Sequence, residues 1–302
     1  MRRRTLVTSW LVVALAAGVA AGQQGTFRSG VDLVTFGVTV VDKHGELVTD
    51  LTADDFAIVE DGVEQQLQYF AVGDEADSRA RKRLGLMLDT SGSMEQDLKL
   101  ARSAAIKFLN MLPEAEDITL VDFDTEVRVT RYPQRDFARV VERIRMRKPD
   151  GWTALYDALG VYLDGAQMQE GRKILVMYTD GGDTRSTMGF GDLLTLLKAS
   201  QVTVYAVGLN ENTGSYRTEL RMRLQQIVEV TGGEAFFPSR LKDLDESYAK
   251  VLAEIKGRYH LGYASTNGAE DGAWREVDIK VKRRGLKVRT RHGYFAPYRS
   301  EP

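Results

Sequence analysis

Apolar and polar residues are arranged along the chain in two alternating patterns, and each pattern predicts a different structure. Over residues 31–72 the period is two residues with many β-branched side chains, which is typical of strands. Over residues 84–255 short apolar runs alternate with stretches in which apolar residues recur every three or four positions, as in amphipathic helices. The two-residue period returns from residue 257 onward. The chain is therefore predicted to consist of a β segment, an α/β segment and a second β segment.

The middle segment predicts a mostly parallel sheet. The apolar runs predict strands at 84–88, 118–123, 127–129 (a short edge strand), 173–177, 202–208 and 235–237. The helical spacings predict helices over 98–112 (ended by Pro113), 137–144, 154–166, 193–198, 220–228 and 241–255. Strands that alternate with helices form α/β folds whose sheet is covered on both faces, so we predict a doubly wound α/β sheet.

The two β segments are each predicted to form hairpins. Segments 56–59 and 66–70 flank Asp61-Gly62, a dipeptide that favours a two-residue hairpin turn. Near the other end, segments 276–282 and 286–291 flank a turn at 283–285. Each set of strands is too small to bury a face alone. We therefore expect the N- and C-terminal strands to pair in one small β-sandwich into which the α/β part is inserted.

The first 22 residues indicate export. Three arginines at 2–4 precede an apolar run over 6–17 and the small residues of 18–22, the pattern of a signal peptide cleaved near Ala21 or Gly22. An uncleaved membrane anchor is the alternative, although the apolar run is short for a span of about 20 residues. The sequence leaves open whether the protein is exported by the general secretory route or by the twin-arginine route. The predicted organisation is a signal peptide at 1–22, a β segment at 23–78, an α/β domain at 79–256 and β strands at 257–302, in a periplasmic or secreted protein without a membrane span.

The amino-acid composition excludes several kinds of site and binding function. The 302 residues contain no cysteine, which excludes disulfides, zinc–thiolate sites and a cysteine nucleophile. The net charge of -2 argues against bulk electrostatic binding to nucleic acid or membrane. A basic stripe interrupts the last strands, but acidic residues at 276 and 278 are interleaved with it, so we expect a solvated strand face: Lys280, Lys282, Lys287, Arg289 and Arg291.

The turn after the first apolar run of the α/β segment carries oxygen side chains on alternate residues. Asp89, Ser91 and Ser93 directly follow the predicted strand 84–88. Ligand sites of α/β folds lie at such strand-to-helix turns. Since alternate residues of an extended turn can point the same way, one carboxylate and two hydroxyls can converge here. Such a set suits a hard cation such as Mg²⁺.

These residues resemble the Asp-x-Ser-x-Ser signature of von Willebrand factor A (VWA) domains, which carry a metal-ion-dependent adhesion site. Two further loops match the family in type and order: Gly-Trp-Thr at 151–153 and Tyr-Thr-Asp-Gly at 178–181. The resemblance covers about residues 83–256 and implies a Rossmann-like doubly wound sheet. It also implies that Thr153 and Asp180 complete the metal site. The order of segments is similar, too, to a group of secreted VWA-related proteins of Acidobacteria.

The resemblance implies a non-catalytic binding module. Two carboxylates balance the charge of a divalent ion and neutral hydroxyls leave it electron-poor, so a Glu or Asp carboxylate of a protein partner can complete its coordination. Mg²⁺ suits a six-coordinate oxygen site, and Ca²⁺ or Mn²⁺ are alternatives. Two other functions remain open: a structural module of an envelope assembly stabilised by the metal, and a hydrolase that uses Asp89 or Ser91. Against the hydrolase, the serines lack a Gly-x-Ser-x-Gly context and the α/β segment contains no histidine.

The candidate residues also have plain structural interpretations. Asp89, the two serines and Thr153 could cap the helices that follow them, because Asp, Ser and Thr are favourable N-cap residues. We expect Asp183 to be a solvated loop residue and Asp157 a group on a helix surface or behind the ligands. Asp122 and Asp124 flank Phe123 and are expected to lie outside the core.

Overall fold

The computed structural model describes residues 33–73, 82–111, 115–209, 215–238 and 241–299. The predicted signal peptide, most of the polar linker after residue 73 and the helix stop at Pro113 lie outside the described residues.

Fourteen strands and six helices make up the described part of the chain. The strands are β1 (Val34–Val41), β2 (Phe56–Glu60), β3 (Val63–Gln65), β4 (Tyr69–Val72), β5 (Lys82–Asp89), β6 (Asp117–Phe123), β7 (Val127–Pro133), β8 (Arg172–Thr179), β9 (Val202–Gly208), β10 (Ala235–Phe236), β11 (Tyr259–Tyr263), β12 (Trp274–Val281), β13 (Lys287–Arg289) and β14 (Gly293–Phe295). The helices are α1 (Leu98–Met111), α2 (Phe137–Met146), α3 (Leu155–Gln167), α4 (Phe190–Ala199), α5 (Ser215–Glu229) and α6 (Leu241–Gly257).

The α/β part has the predicted mostly parallel sheet. Its six strands have the order β10-β9-β8-β5-β6-β7, and all neighbours are parallel except the edge pair β6 and β7. The strand order reverses beside β5, the first strand of the sheet in sequence. In open α/β sheets, ligands bind at the carboxyl ends of strands beside such a reversal.

Apolar side chains cover both faces of this sheet. Along β5, Leu84, Leu86 and Leu88 pack in one layer with α1, α2 and α6, whereas Met87 packs in the opposite layer with α3, α4 and α5. This alternation follows from the pleat, because successive side chains of a strand point to opposite faces. A run of apolar residues without polar interruption is therefore needed in a strand covered on both sides.

The strands from the two ends of the chain form the predicted sandwich. One antiparallel sheet has the order β13-β1-β11-β4, and the facing sheet has the order β14-β12-β2-β3. Each sheet combines strands that precede and follow the α/β part, through the pairs β1–β11 and β2–β12. Inward-facing side chains from both sheets form a separate apolar core. The prediction of one sandwich shared by both ends is confirmed.

Buried tyrosines of β11 hold the two sheets together. Tyr259 and Tyr263 are buried in the sandwich core. The Tyr259 hydroxyl accepts a hydrogen bond from the backbone N–H of Leu51 (3.0 Å) and donates to the carbonyl of Val48 (2.8 Å). The Tyr263 hydroxyl donates to Glu60 on the facing sheet over 2.6 Å. These pairs satisfy polar groups that would otherwise be costly to bury.

Both predicted hairpin partners were wrong. Strand β2 pairs across Asp61-Gly62 with β3, at 63–65, while β4 pairs with β11 in the other sheet. Likewise β12 pairs with β2 and β14, whereas β13 pairs with β1. In each case the chain crosses the sandwich after a short segment, because both sheets need apolar side chains that point into the same core.

Two expectations about charged residues were also wrong. Arg289 lies partly buried between Glu234 and Glu254, and Arg291 lies over the Phe36 ring, so the basic stripe is not one solvated face. Asp122 is buried, with 2% of its surface exposed. It forms ion pairs with three arginines: Arg128, Arg143 and Arg147.

Candidate metal centre

The predicted ligands lie at the carboxyl ends of β5 and β8. Asp89 is the last residue of β5, and Asp180 directly follows Thr179, the last residue of β8. These strands are hydrogen-bonded neighbours in parallel register. The sheet therefore brings together two loops that are about 90 residues apart in the sequence.

Hydroxyl groups hold both carboxylate oxygens of Asp89. Its Oδ1 accepts hydrogen bonds from the Ser91 hydroxyl (2.6 Å) and the Ser91 backbone N–H (3.0 Å). Its Oδ2 accepts a hydrogen bond from the Thr179 hydroxyl (2.7 Å). Thr179 in turn accepts one from the N–H of Gly181 (3.0 Å), so it links Asp89 to the loop of Asp180. Sequence analysis missed Thr179, although it is the polar residue directly before Asp180 at a strand end.

The site runs from a buried end to an open end. Asp89 and Ser91 are fully buried, Asp180 is half-buried and Ser93 is exposed. The oxygens of Ser91 and Ser93 are 3.0 Å apart. Since the Ser91 hydroxyl proton is used toward Asp89, Ser93 is the donor of this pair. A ligand can therefore approach at the Ser93 side.

Backbone hydrogen bonds join the loop of Thr153 to both other loops. On one side the N–H of Gly92 donates to the carbonyl of Gly151 over 3.1 Å. On the other side the Thr153 carbonyl accepts hydrogen bonds from Thr184 (2.8 Å) and Arg185 (2.9 Å), which follow Asp180 in the chain. Thr153 itself is 4% exposed. All three predicted loops thus lie at one edge of the sheet and are bonded to one another.

The hydroxyls do not cap the helices that follow them. Helix α1 begins at Leu98, five residues after Ser93, and Ser91 makes no side-chain cap hydrogen bond to the short 3₁₀ turn Gly92–Met94. Helix α3 has Ala154 at its N-cap, and Thr153 makes no cap hydrogen bond there. The capping interpretation of these residues is therefore wrong.

Side chains of the loop that follows Asp180 instead accept hydrogen bonds from the backbone N–H groups in the first turn of α3. The N–H of Tyr156 donates to Asp183 (3.2 Å), and the N–H of Asp157 donates to the Ser186 hydroxyl (3.0 Å). The Asp157 carboxylate accepts hydrogen bonds from the N–H groups of Thr187 and Met188. Asp183 is thus a half-buried structural residue, which corrects the expectation of a solvated one, and Asp157 supports the loop from behind.

Two glycines let the loops turn beside the candidate ligands. Gly151 has φ +72° and Gly181 has φ +86°, a left-handed conformation that favours glycine. A Cβ on Gly151 would lie 2.4 Å from Oγ1 of Thr125. The Thr125 hydroxyl accepts a hydrogen bond from the N–H of Trp152 over 2.9 Å, which fixes the loop just before Thr153.

At the buried end of the site, the ionised form of the Asp89 carboxylate is disfavoured. Burial and the neighbouring carboxylate of Asp180 raise the pKa of Asp89 to about 7, although the hydrogen bonds from Ser91 and Thr179 lower it. A divalent cation between the two carboxylates would relieve this repulsion. Among the described residues no group of three or more His, Cys, Asp or Glu side chains is suited to hold a metal ion. The hydroxyls of Ser91, Ser93 and Thr153 are the neutral oxygen groups that could join the carboxylates of Asp89 and Asp180 in holding a metal ion.

A family comparison agrees with this architecture. Residues 84–182 match the sequence model of the von Willebrand factor type A domain. The chain therefore contains a von Willebrand factor type A domain, and all five candidate ligands lie within the matched residues. The match ends at 182, whereas the sheet continues through β9 and β10. The resemblance to the acidobacterial proteins stays a prediction.

Several solved structures are similar to the chain at low sequence identity. A PilB minor pilin mutant from Streptococcus sanguinis is 14% identical, with 60% of this chain and 62% of that chain covered and a TM-score of 0.48. The von Willebrand factor type A protein from Catenulispora acidiphila is 15% identical, with 82% and 75% covered and a TM-score of 0.47. The von Willebrand factor domain of the pilus tip protein Mfa5 from Porphyromonas gingivalis is 13% identical, with 58% and 96% covered and a TM-score of 0.48. The chain thus spans less than two thirds of the length of the minor pilin.

No curated protein matches this sequence. Within the described ranges, no helix has both the length and the apolar character needed to cross a membrane.

Proposed function

We propose that the chain is an exported, non-catalytic adhesion module that binds a protein partner through a divalent metal ion. The observation that carries the proposal is the gathering of Asp89, Ser91 and Ser93 with the loops of Thr153 and Asp180 at one sheet edge. Polar groups at strand ends often cap helices, yet these hydroxyls do not. A metal site is the function that this set of oxygen atoms supports best.

Each residue has a distinct proposed role. Ser91, Ser93 and Thr153 would bind the ion through neutral hydroxyls, and Mg²⁺ prefers such oxygen ligands. Asp89 and Asp180 would supply the compensating charge, either directly or through water. Because both oxygens of Asp89 already accept hydrogen bonds, contact through water requires the smaller rearrangement. When bound, the ion would act as a Lewis acid that attracts a Glu or Asp carboxylate of the partner.

The surface beside the site suits protein binding. Trp152, next to Thr153, is 65% exposed, and exposed tryptophans are enriched among residues that dominate binding energy. Thr125 holds its backbone in place. The indole can therefore pack against a partner whose carboxylate reaches the metal.

Metal titration is the first test of this proposal. Calorimetry with Mg²⁺, Ca²⁺ and Mn²⁺ should show saturable binding to the purified protein and a loss of affinity of more than about tenfold in Asp89→Ala. Asp164→Ala, which removes an exposed carboxylate of α3, should bind like the wild type. Unchanged binding in Asp89→Ala would remove this site from the proposal.

A peptide test separates adhesion from a purely structural metal. A blocked Gly-Glu-Gly peptide should perturb the NMR signals of residues 91–93 and 151–153 only when metal is present, and the Gly-Gln-Gly peptide should not. Metal binding that raises the melting temperature without any effect of the Glu peptide would instead favour the structural module.

A further inference from the structure

A cavity lies at the opposite end of the central sheet from the candidate metal centre. It has a volume of about 370 Å³ and is enclosed by the first residues of β8 and β9 and by the sandwich strands β1, β4 and β11. Asp180 lies seven positions after Lys173, which is about 23 Å at the usual rise of a strand. The cavity is therefore distinct from the metal centre.

The charged side chains that line the cavity are all basic. Four side chains that carry a full positive charge line it, together with His260: Arg172, Lys173, Arg258 and Arg291. None of the described residues that line it is an aspartate or glutamate. Four cations that face one space repel one another, and partial burial weakens the screening by water.

Arg258 is built into the wall rather than extended into solvent. It is 6% exposed, and its guanidinium donates to the Thr203 hydroxyl (2.7 Å) and to the carbonyl of Gly37 (2.9 Å). Its Nε has no hydrogen-bond partner among the described residues. These contacts fix the orientation of the cation, but they are to neutral groups and leave its charge uncompensated.

Lys173 and Arg291, which also line the cavity, likewise have no carboxylate partner among the described residues. Arg291 donates to the carbonyl of Thr35 (2.9 Å), and Lys173 is half-buried. In the part of the chain that the structure describes, neither these two residues nor Arg258 forms an ion pair with a carboxylate. Burial and, to a smaller extent, the charge of Arg258 lower the pKa of Arg291 to about 10. Burying charges without partners is costly unless a ligand of opposite sign occupies the space.

We propose that this cavity binds a small multivalent oxyanion, a molecule whose carboxylate or phosphate oxygens carry more than one negative charge. Lys173 and Arg291 would pair with it from two sides, while Arg258 supplies a fixed positive field. The hydroxyl of Thr203, which accepts a hydrogen bond from Arg258 and also lines the cavity, can donate to a further oxygen of the ligand. The volume falls at the lower end of the range for small-molecule sites, about 300–1,000 Å³.

Calorimetry with citrate and with inorganic phosphate tests the proposal. The protein is stripped of divalent metals and then dialysed free of the chelator, and NaCl holds the ionic strength constant. We expect saturable binding of at least one of these anions, which identifies carboxylate or phosphate as the preferred group. The Lys173→Gln variant should bind it about tenfold more weakly, because a charge-assisted contact is lost.

Matched variants make the result specific. Lys43→Gln removes an equal charge at an exposed turn and should bind like the wild type. Melting temperatures of the variants confirm that each is folded. Absence of saturable binding for both anions, or equal affinity of wild type and Lys173→Gln, would overturn the proposal. Its failure would leave the metal-dependent function unaffected, since the two sites use different residues.

Discussion

The Thr179 hydroxyl donates a hydrogen bond of 2.7 Å to Oδ2 of Asp89, across the carboxyl ends of two adjacent parallel strands. The register explains this contact, because Leu88 of β5 pairs with Tyr178 of β8 and the next residues along each strand are Asp89 and Thr179. Both therefore project to the same face of the sheet. A residue outside the five candidate ligands thus helps to position the most deeply buried one.

Replacing Thr179 by valine should weaken metal binding without removing a ligand. The variant keeps the shape of the side chain but leaves Oδ2 of Asp89 without its donor. We expect a Kd for Mg²⁺ about tenfold higher, measured by calorimetry. We also expect a loss of unfolding free energy of about 1–2 kcal/mol in metal-free buffer, because a buried hydrogen bond to a charged group is lost.

The matched control is Thr195→Val on the exposed face of α4. Its hydroxyl donates only to a carbonyl of its own helix, that of Gly191. Valine and threonine have similar helix propensities, so this variant should retain both the metal affinity and the stability of the wild type. Equal metal affinity in the Thr179 and Thr195 variants would show that Thr179 does not position Asp89.

Local sequence patterns predicted the elements and the place of the site. The apolar runs before Asp89 and Asp180 are typical of buried strands, and parallel strands carry such turns to one edge. The pairing of the two chain ends also followed, since neither set of strands could bury a face alone. These inferences depend on the local period of apolar residues and on the apolar area that each set of strands must bury. Neither depends on which strands pair with each other.

Partners that depend on register could not be predicted. Thr179 meets Asp89 only because of how β5 and β8 align, and Arg289 meets Glu254 across 35 residues. Asp122 was expected outside the core because acidic residues usually are, yet three arginines compensate its burial. The wrong hairpins have the same origin, since a turn motif fixes a local reversal but not the sheet that the next strand joins.

The stability of the protein should fall as the pH rises toward 8, in part because of Glu254. Burial and, to a smaller extent, nearby Glu234 raise the pKa of Glu254 to about 7, although Arg289 opposes both. A raised native pKa means that the folded state holds the proton more tightly. This contribution is fully present below the ordinary value of 4.5 and is lost as the pH passes through about 7.

Glu254→Gln should flatten this dependence. The amide occupies the same volume without titrating, so the loss of unfolding free energy between pH 5 and pH 8 should be smaller than in the wild type, as measured by urea unfolding at each pH. Glu246→Gln, on the exposed face of the same helix, is the control and should keep the slope of the wild type. An unchanged slope in Glu254→Gln would assign the pH dependence to other groups.

The close approach of α3 to β5 at Gly85 should not tolerate a side chain. A Cβ at Gly85 would lie 2.4 Å from the Tyr162 ring, which is itself buried between the helix and the sheet. Gly85→Ala must therefore shift the ring or the helix. Overpacking of this kind costs about 1–3 kcal/mol of unfolding free energy, which urea denaturation would measure.

Gly165→Ala, in the same helix, is the matched control and should act in the opposite direction. Gly165 is exposed, and no atom lies within 4 Å of the added Cβ. Alanine is the better helix former, so this variant should gain about 0.5–1 kcal/mol. A loss of unfolding free energy in Gly85→Ala together with a gain in Gly165→Ala would show that the loss comes from the contact between Gly85 and Tyr162. A neutral Gly85→Ala would instead mean that α3 can move away from β5 without cost, and the loop of Thr153 at its N-terminus would then be free to shift with it.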